Sequence, residues 1–370
     1  MPSMDDIVSV AEALGKQPIA IMQDRCVVVR NRNAGCRRCV SVCAAEAITV
    51  SGNRIDVDTT LCTSCGACTA VCPTEAIVPL APTDKDLFEK TAQSCSATGM
   101  TVFACARKAS KRVADPSKYA EVPCLSRLDE SVMLSAVASG AEGVILVDGN
   151  CATCKYRDNS ARIDDVARST DELLRSVGSA VKVERSTEFP EDFLVSDAKG
   201  LFGTSRRGFF SEAVTAAKDT ASTSAKTTIA TELGITPDAQ SIGERLRITP
   251  DGTLPRIEMP RHEAAINALD AIGSPQVPEI DSRLFGSISI DAIRCNSCGM
   301  CATFCPTGAL RRDSADSPAS PLKYLEFSAC DCVQCGLCVD VCWKEAITLS
   351  SRVSTEELFD FEPITFKLKK

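Results

Sequence analysis

The sequence predicts a mixed α+β / α/β protein, with two small cysteine-rich modules around a small parallel-sheet α/β domain. Three observations predict it. The first is the stretch Cys62-Thr-Ser-Cys65-Gly-Ala-Cys68-Thr-Ala-Val-Cys72-Pro73, a C-x2-C-x2-C-x3-C-P spacing and one of four related runs. The second is an internal repeat: Cys39-Val-Ser-Val-Cys43-Ala-Ala-Glu-Ala-Ile parallels Cys68-Thr-Ala-Val-Cys72-Pro-Thr-Glu-Ala-Ile. Cys305-Pro-Thr-Gly-Ala-Leu and Cys342-Trp-Lys-Glu-Ala-Ile continue it. The third is a switch over 83–187 to short apolar strands alternating with helices, the pattern of a parallel sheet.

The chain of 370 residues has room for two or three domains and carries 22 cysteines beside a single histidine, His262. Cysteine at this density means disulfides or metal. Disulfide frameworks suit small secreted chains. This chain is large, and its opening Met-Pro-Ser-Met-Asp-Asp-Ile lacks the basic and apolar regions of an export signal. A reducing, cytoplasmic setting is therefore expected; an anaerobic prokaryote is the customary host of such chains and does not follow from the residues. No apolar stretch approaches the length of a membrane span. The net charge of −8 argues against a nucleic-acid surface and suits docking on basic patches of redox partners.

Thiolate donors select soft metal centres. Zinc accepts C-x2-C pairs, but four-cysteine runs in this repeat favour iron–sulfur clusters. The runs resemble those of bacterial-type ferredoxins with paired [4Fe–4S] clusters, so the expected architecture is two dicluster ferredoxin-like modules flanking the α/β domain. The resemblance implies cross-ligation, in which the fourth cysteine of each run serves the other cluster. Cys26, Cys36, Cys39 and Cys72 then hold one cubane, and Cys62, Cys65, Cys68 and Cys43 the second. In the C-terminal module Cys295, Cys298, Cys301 and Cys342 hold the third, and Cys332, Cys335, Cys338 and Cys305 the fourth.

The N-terminal module is expected over 1–82. Asp5–Leu14 reads as a short amphipathic helix closed by Gly15. Cys26 to Cys36 is the same run with its first gap stretched, and Val27-Val28-Val29 with the Asn-rich tip reads as a hairpin excursion. Ala47 to Asp58 reads as strand, Ser-Gly-Asn turn and strand. Ala44 stands where proline follows the fourth cysteine of the Cys62 run.

In the α/β domain, 83–187, a helix is expected over Asp84–Ala92, and a strand over Met100–Ala104 ends at Cys105. Tyr119 to Pro123 leads to Cys124. A helix over Glu130–Ala138 stops at Gly140. The strand Gly143–Asp148 precedes Cys151 and Cys154, and a helix over Ile163–Val177 leads to a strand over Ala180–Glu184. Cys105, Cys124 and Cys151 thus stand at carboxyl ends of strands, the rim where open parallel sheets bind ligands. With Cys154 they make a four-thiolate set. Three readings stay open: a [2Fe–2S] cluster, thiol redox chemistry or zinc at Cys151-Ala-Thr-Cys154, or no site at all. Cys95 is left over.

Val-Phe-Ala-Cys105, Val-Pro-Cys124-Leu-Ser-Arg-Leu-Asp-Glu, Ala138-Ser-Gly-Ala-Glu-Gly-Val-Ile-Leu-Val and Cys151…Cys154-Lys-Tyr make this stretch similar to the delta subunit of methyl-viologen-reducing hydrogenase. The resemblance covers about residues 100 to 160. It implies a [2Fe–2S] cluster and electron passage between a hydrogenase or formate dehydrogenase and a flavoprotein. The chain departs from that family in having Ala106-Arg-Lys where a further cysteine follows the first, and in a closer last pair.

A connector is expected over 188–285. Ser205-Arg206-Arg207-Gly-Phe-Phe has the look of a twin-arginine signal, yet it sits deep in the chain. It reads as Ser205 capping a helix that runs on through Glu212-Ala-Val-Thr-Ala-Ala, with a Ser/Thr/Ala-rich linker over 217–230. Its likeness to a segment in the accessory ferredoxin of periplasmic nitrate reductase suggests a molybdoenzyme partner. A helix is expected between Arg256 and Leu269, with His262 on the surface. The C-terminal module, 286–350, has Trp343 in place of proline, a surface insert from Arg311 to Phe327 and a spare Cys330; the tail 351–370 reads as a strap.

No phosphate loop, nucleophile–base pair or paired carboxylate is visible. The expected function is a non-catalytic subunit with four [4Fe–4S] clusters and a [2Fe–2S] centre, relaying electrons between redox partners of hydrogenase, formate dehydrogenase, flavoprotein or molybdoenzyme type. Two alternatives remain: a sulfur-redox enzyme using Cys151 and Cys154, and an assembly factor for a molybdoenzyme.

Overall fold

In the N-terminal module a strand pair, Ile19–Ile21 with Ile77–Pro79, closes the two ends of the module onto each other. The structure, a computed structural model, describes residues 18–195, 241–312 and 323–368. The expected helix at Asp5, the Ser205-Arg206-Arg207 segment, the Ser/Thr/Ala-rich linker and most of the insert after Arg311 lie outside these. A hairpin, Ile48–Ser51 with Arg54–Val57, links the two cysteine runs. Its turn residues Gly52 and Asn53 have φ of 55° and 57°, as a tight two-residue turn demands. The expected hairpin at Val27 is instead a single helical turn, Val27–Arg30. Burial overrides β-propensity here: all three valines point into the module core.

The α/β domain is a four-stranded parallel sheet, ordered Ala120–Val122, Thr101–Cys105, Val144–Val147, Val183–Ser186. Its first helix runs on beyond the expected end, Asp84–Thr98, opened by a Thr83/Asp86 capping box and closed by Gly99 at φ 71°. Glu130–Ala138 is helical as read, and the next helix is Ser160–Ser176. The last strand begins later than expected, at Val183. The chain passes from Thr101–Cys105 out to Ala120–Val122 and back across to Val144–Val147, so the topological switch lies between the strands that lead to Cys105 and Cys151.

The connector helix is Pro260–Ile272, with proline in its first turn, and it packs along Glu130–Ala138. The C-terminal module repeats the plan of the first: Ser287–Ile290 pairs with Ile347–Ser350. The strand Glu279–Asp281 from the connector pairs with Arg352–Ser354. Ile364–Lys367 from the tail adds to the sheet of Leu310–Arg312 and Tyr324–Phe327, so the tail is a strap.

Two apolar cores tie the parts together. One is continuous from Phe103, Leu134 and Leu146 of the α/β domain through Leu269 to Phe285, Phe327 and Leu368. The other joins Ile19, Val27 and Ile55 of the N-terminal module to Leu337 and Val341 of the C-terminal one. The two cysteine-rich modules therefore pack against each other, although the α/β domain separates them in sequence.

Candidate iron–sulfur centres

Each cysteine run folds by the same local device. The residue three past the fourth cysteine is left-handed in every run: Glu46 (φ 51°), Glu75 (48°), Gly308 (78°) and Glu345 (48°). That turn aims the following backbone at the cysteine. Ala47 N–H donates to Cys43 Sγ (3.3 Å), Ala76 to Cys72 (3.2 Å), Ala346 to Cys342 (3.3 Å) and Leu310 to Cys305 (3.5 Å). Such N–H···S bonds favour negative charge on sulfur and tune a cluster's potential.

The cysteines gather in quartets that interleave two runs. Cys43, Cys62, Cys65 and Cys68 line one cavity. Cys295, Cys298, Cys301 and Cys342 line a second, and Cys305, Cys332, Cys335 and Cys338 a third. Cys26, Cys36, Cys39 and Cys72 form the fourth group. There, burial pushes the Cys39 thiol up to about 12, with Cys72, Cys26 and Cys36 close enough to add to the rise. Burial likewise raises Cys301 and Cys332 to about 12. Buried thiols of this kind lose their protons when a metal centre takes them. Among the described residues, no group of three or more Cys, His, Asp or Glu is arranged to hold a single metal ion. A cubane places its four thiolates on separate corners, so quartets gathered in this way, three of them around a small hollow, fit that group.

The α/β rim brings Cys105, Cys124, Cys151 and Cys154 around a single cavity of about 400 Å³. Its walls include Arg107, Asp148, Tyr156 and Ile163. Asn150, at φ 62°, turns the chain from the strand into the Cys151 loop, and Arg107 fastens that loop through Asn150 O (3.1 Å) and Thr153 Oγ1 (2.9 Å). The Cys124 sulfur accepts from Ser126 Oγ at 3.3 Å. Arg185 Nη2 donates to Cys151 Sγ at 3.2 Å. Burial raises the Cys124 thiol, Ser126 opposes this, and Cys65 and Cys151 add to the rise.

Those neighbours put the cysteine sets in order. The rim site adjoins the Cys43/62/65/68 quartet through Cys65. That quartet adjoins Cys39, a member of the Cys26 group, through Cys68. The Cys26 group meets the C-terminal module: Arg30 lies near Cys305 and Cys335, and Arg38 Nη2 donates to Gln334 O at 2.7 Å. Cys338 in turn lies near Cys301 of the last quartet. That quartet ends at the surface: Cys298 is exposed, and so are Ile293 and Trp343 of the same module.

The two spare cysteines stand apart. Cys95 is buried on its helix with Sγ toward Ser139 O, and Cys330 Sγ lies 3.1 Å from Ser328 Oγ. His262, expected on the surface, is half-buried, its ring 4.8 Å from that of Phe285 at a tilt of 57° and its Nε2 2.6 Å from Cys330 O. The apolar Phe285 wall draws it in. Arg185 and Arg107 carried no signal in the cysteine spacing. Ser126 and Tyr156 lie in the quoted Val-Pro-Cys124-Leu-Ser and Cys154-Lys-Tyr stretches, although nothing there marked their roles.

A model of the 4Fe-4S dicluster domain matches residues 33–76 and 289–353, and a model of the methyl-viologen-reducing hydrogenase delta subunit matches 92–187. Over 76 residues the chain is 36% identical to NADH-quinone oxidoreductase subunit I of Pelobacter propionicus. That stretch is 19% of this chain and 40% of that relative, so the match spans well under two thirds of it. The chain thus carries two 4Fe-4S dicluster domains flanking a domain of the methyl-viologen-reducing hydrogenase delta-subunit type.

Proposed function

We propose that the chain is an electron-transfer subunit that conducts along a fixed series of iron–sulfur centres between two redox partners. The observation that carries this is the unbroken adjacency from the rim site through the four quartets to exposed Cys298. When bound, each cluster takes up and gives back one electron. The protein's part is to fix the spacing, exclude water and donate N–H groups to sulfur. In this reading Cys105, Cys124, Cys151 and Cys154 hold a [2Fe–2S] centre at one end, and Cys295, Cys298, Cys301 and Cys342 hold the cubane at the other. The partners are redox proteins of hydrogenase, formate dehydrogenase, flavoprotein or molybdoenzyme type.

Anaerobic iron and labile-sulfide analysis with EPR after stepwise reduction tests it. About eighteen irons are expected, with a [2Fe–2S] signal lost in Cys124→Ser. About sixteen irons and cubane signals alone would remove the rim centre. The roomy rim cavity would then favour a second reading, sulfur-redox chemistry at Cys151 and Cys154. That reading expects Cys151 to be alkylated only after reduction.

A further inference from the structure

Arg185 lies outside every cysteine motif, on the edge strand of the parallel sheet. Each of its three guanidinium nitrogens donates a hydrogen bond. Nε donates to Asp148 Oδ2 at 2.7 Å, and Nη1 donates to Asp164 Oδ1 at 2.7 Å. Nη2 donates to Ser160 Oγ at 2.9 Å and to Cys151 Sγ at 3.2 Å. Burial works against the charge on Arg185, and its bonds to Asp164 and Asp148 outweigh burial, so the guanidinium stays protonated. Asp148 is itself buried, three residues before Cys151 on the same loop. The fork is therefore fixed relative to the sulfur before anything binds.

We propose that Arg185 is the positioning residue that sets the reduction potential of the rim centre, by holding an N–H and a positive charge against the Cys151 sulfur. The inference rests on the reading that the four rim cysteines hold a cluster. Taking one electron from a reductant adds one negative charge to such a centre, part of it on its thiolate sulfurs. A cationic donor in contact with one of those sulfurs stabilises the reduced form more than the oxidised one, and so raises the potential. At the Cys151 sulfur the Asp148 charge outweighs that of Arg185, but Asp148 is the same in every Arg185 variant, so the difference between them reports what Arg185 adds, its charge and its N–H···S bond.

The test is an EPR-monitored redox titration of the full chain, comparing wild type with Arg185→Gln, Arg185→Lys and the remote surface control Arg168→Gln. The expected result is a [2Fe–2S] signal in all four. Its midpoint should shift negative in Arg185→Gln, shift less in Arg185→Lys and stay put in Arg168→Gln. A retained signal with an unmoved midpoint in Arg185→Gln overturns the proposal and leaves the rim cluster standing. An equal shift in Arg168→Gln also overturns it, since net charge alone would then explain the effect. If Arg185→Gln does not retain the centre, Arg185→Lys decides, and a wild-type midpoint there counts against the proposal. A wild type without a [2Fe–2S] signal overturns the underlying reading, and this inference with it.

Discussion

The Tyr156 hydroxyl donates to the backbone carbonyl of Thr63 at 2.7 Å. This bond joins two loops 93 residues apart: Tyr156 follows Cys154 on the rim, and Thr63 lies between Cys62 and Cys65 of the neighbouring quartet. It pins the first step of the proposed series.

Tyr156→Phe removes that bond and leaves every cysteine in place. The expected loss is about 1 kcal/mol of stability, read from the denaturant midpoint. Iron content should be unchanged, while electron equilibration between rim and N-terminal module, followed after flash reduction, should slow.

Interleaving of the runs makes a prediction about pairs. Cys39→Ala with Cys72→Ala should cost one cubane, because both sulfurs belong to one quartet. Cys68→Ala with Cys72→Ala should cost two. Counting irons and EPR signals decides it, and the reverse outcome would mean that each contiguous run holds its own cluster.

Gly66 sits at φ 79°, and a Cβ there would lie 2.6 Å from Arg127 Cδ. Arg127 is 2% exposed and ion-paired to Asp84, so it has no room to yield. Gly66→Ala should therefore destabilise by about 1–3 kcal/mol. Gly52→Ala, also left-handed but in open space, should fall at the low end of that range. Parallel urea melts compare the two.

Burial lowers the pKa of His262, with the Cys330 carbonyl and Asp331 partly opposing it. Between the folded pKa and the unfolded value of about 6.5, the unfolded chain binds more protons. Stability should thus fall as pH drops below about 6.5. His262→Gln should flatten that dependence, measured as the denaturation midpoint from pH 7 to pH 5. Since His262 is the chain's one histidine, the difference between the two profiles reports it directly.

Local chemistry was legible where it lies in neighbouring residues. The hairpin at Ser51-Gly52-Asn53, the helix Glu130–Ala138 and the parallel sheet all follow from short-range pattern and turn residues. Val27-Val28-Val29 misled, because β-branched residues take a helical turn when a core on one side claims them. His262 misled because polarity suggested a free surface position, whereas its ring is half-buried against Phe285.

The sequence by itself determined the cysteine runs, their repeat and the residues that can face a common centre, because those relations act over a few positions of backbone. Only the tertiary structure decided the order of the cysteine sets. Along the chain the α/β domain stands between the two ferredoxin-like modules; in space the modules abut, and its rim adjoins the N-terminal end of the series. Gly35 N–H donates to Asp340 Oδ2 at 2.8 Å across 305 residues, and Arg38 reaches Gln334 across 296. Such bonds depend on the shapes of two finished surfaces, and no local propensity encodes which surface a module will meet.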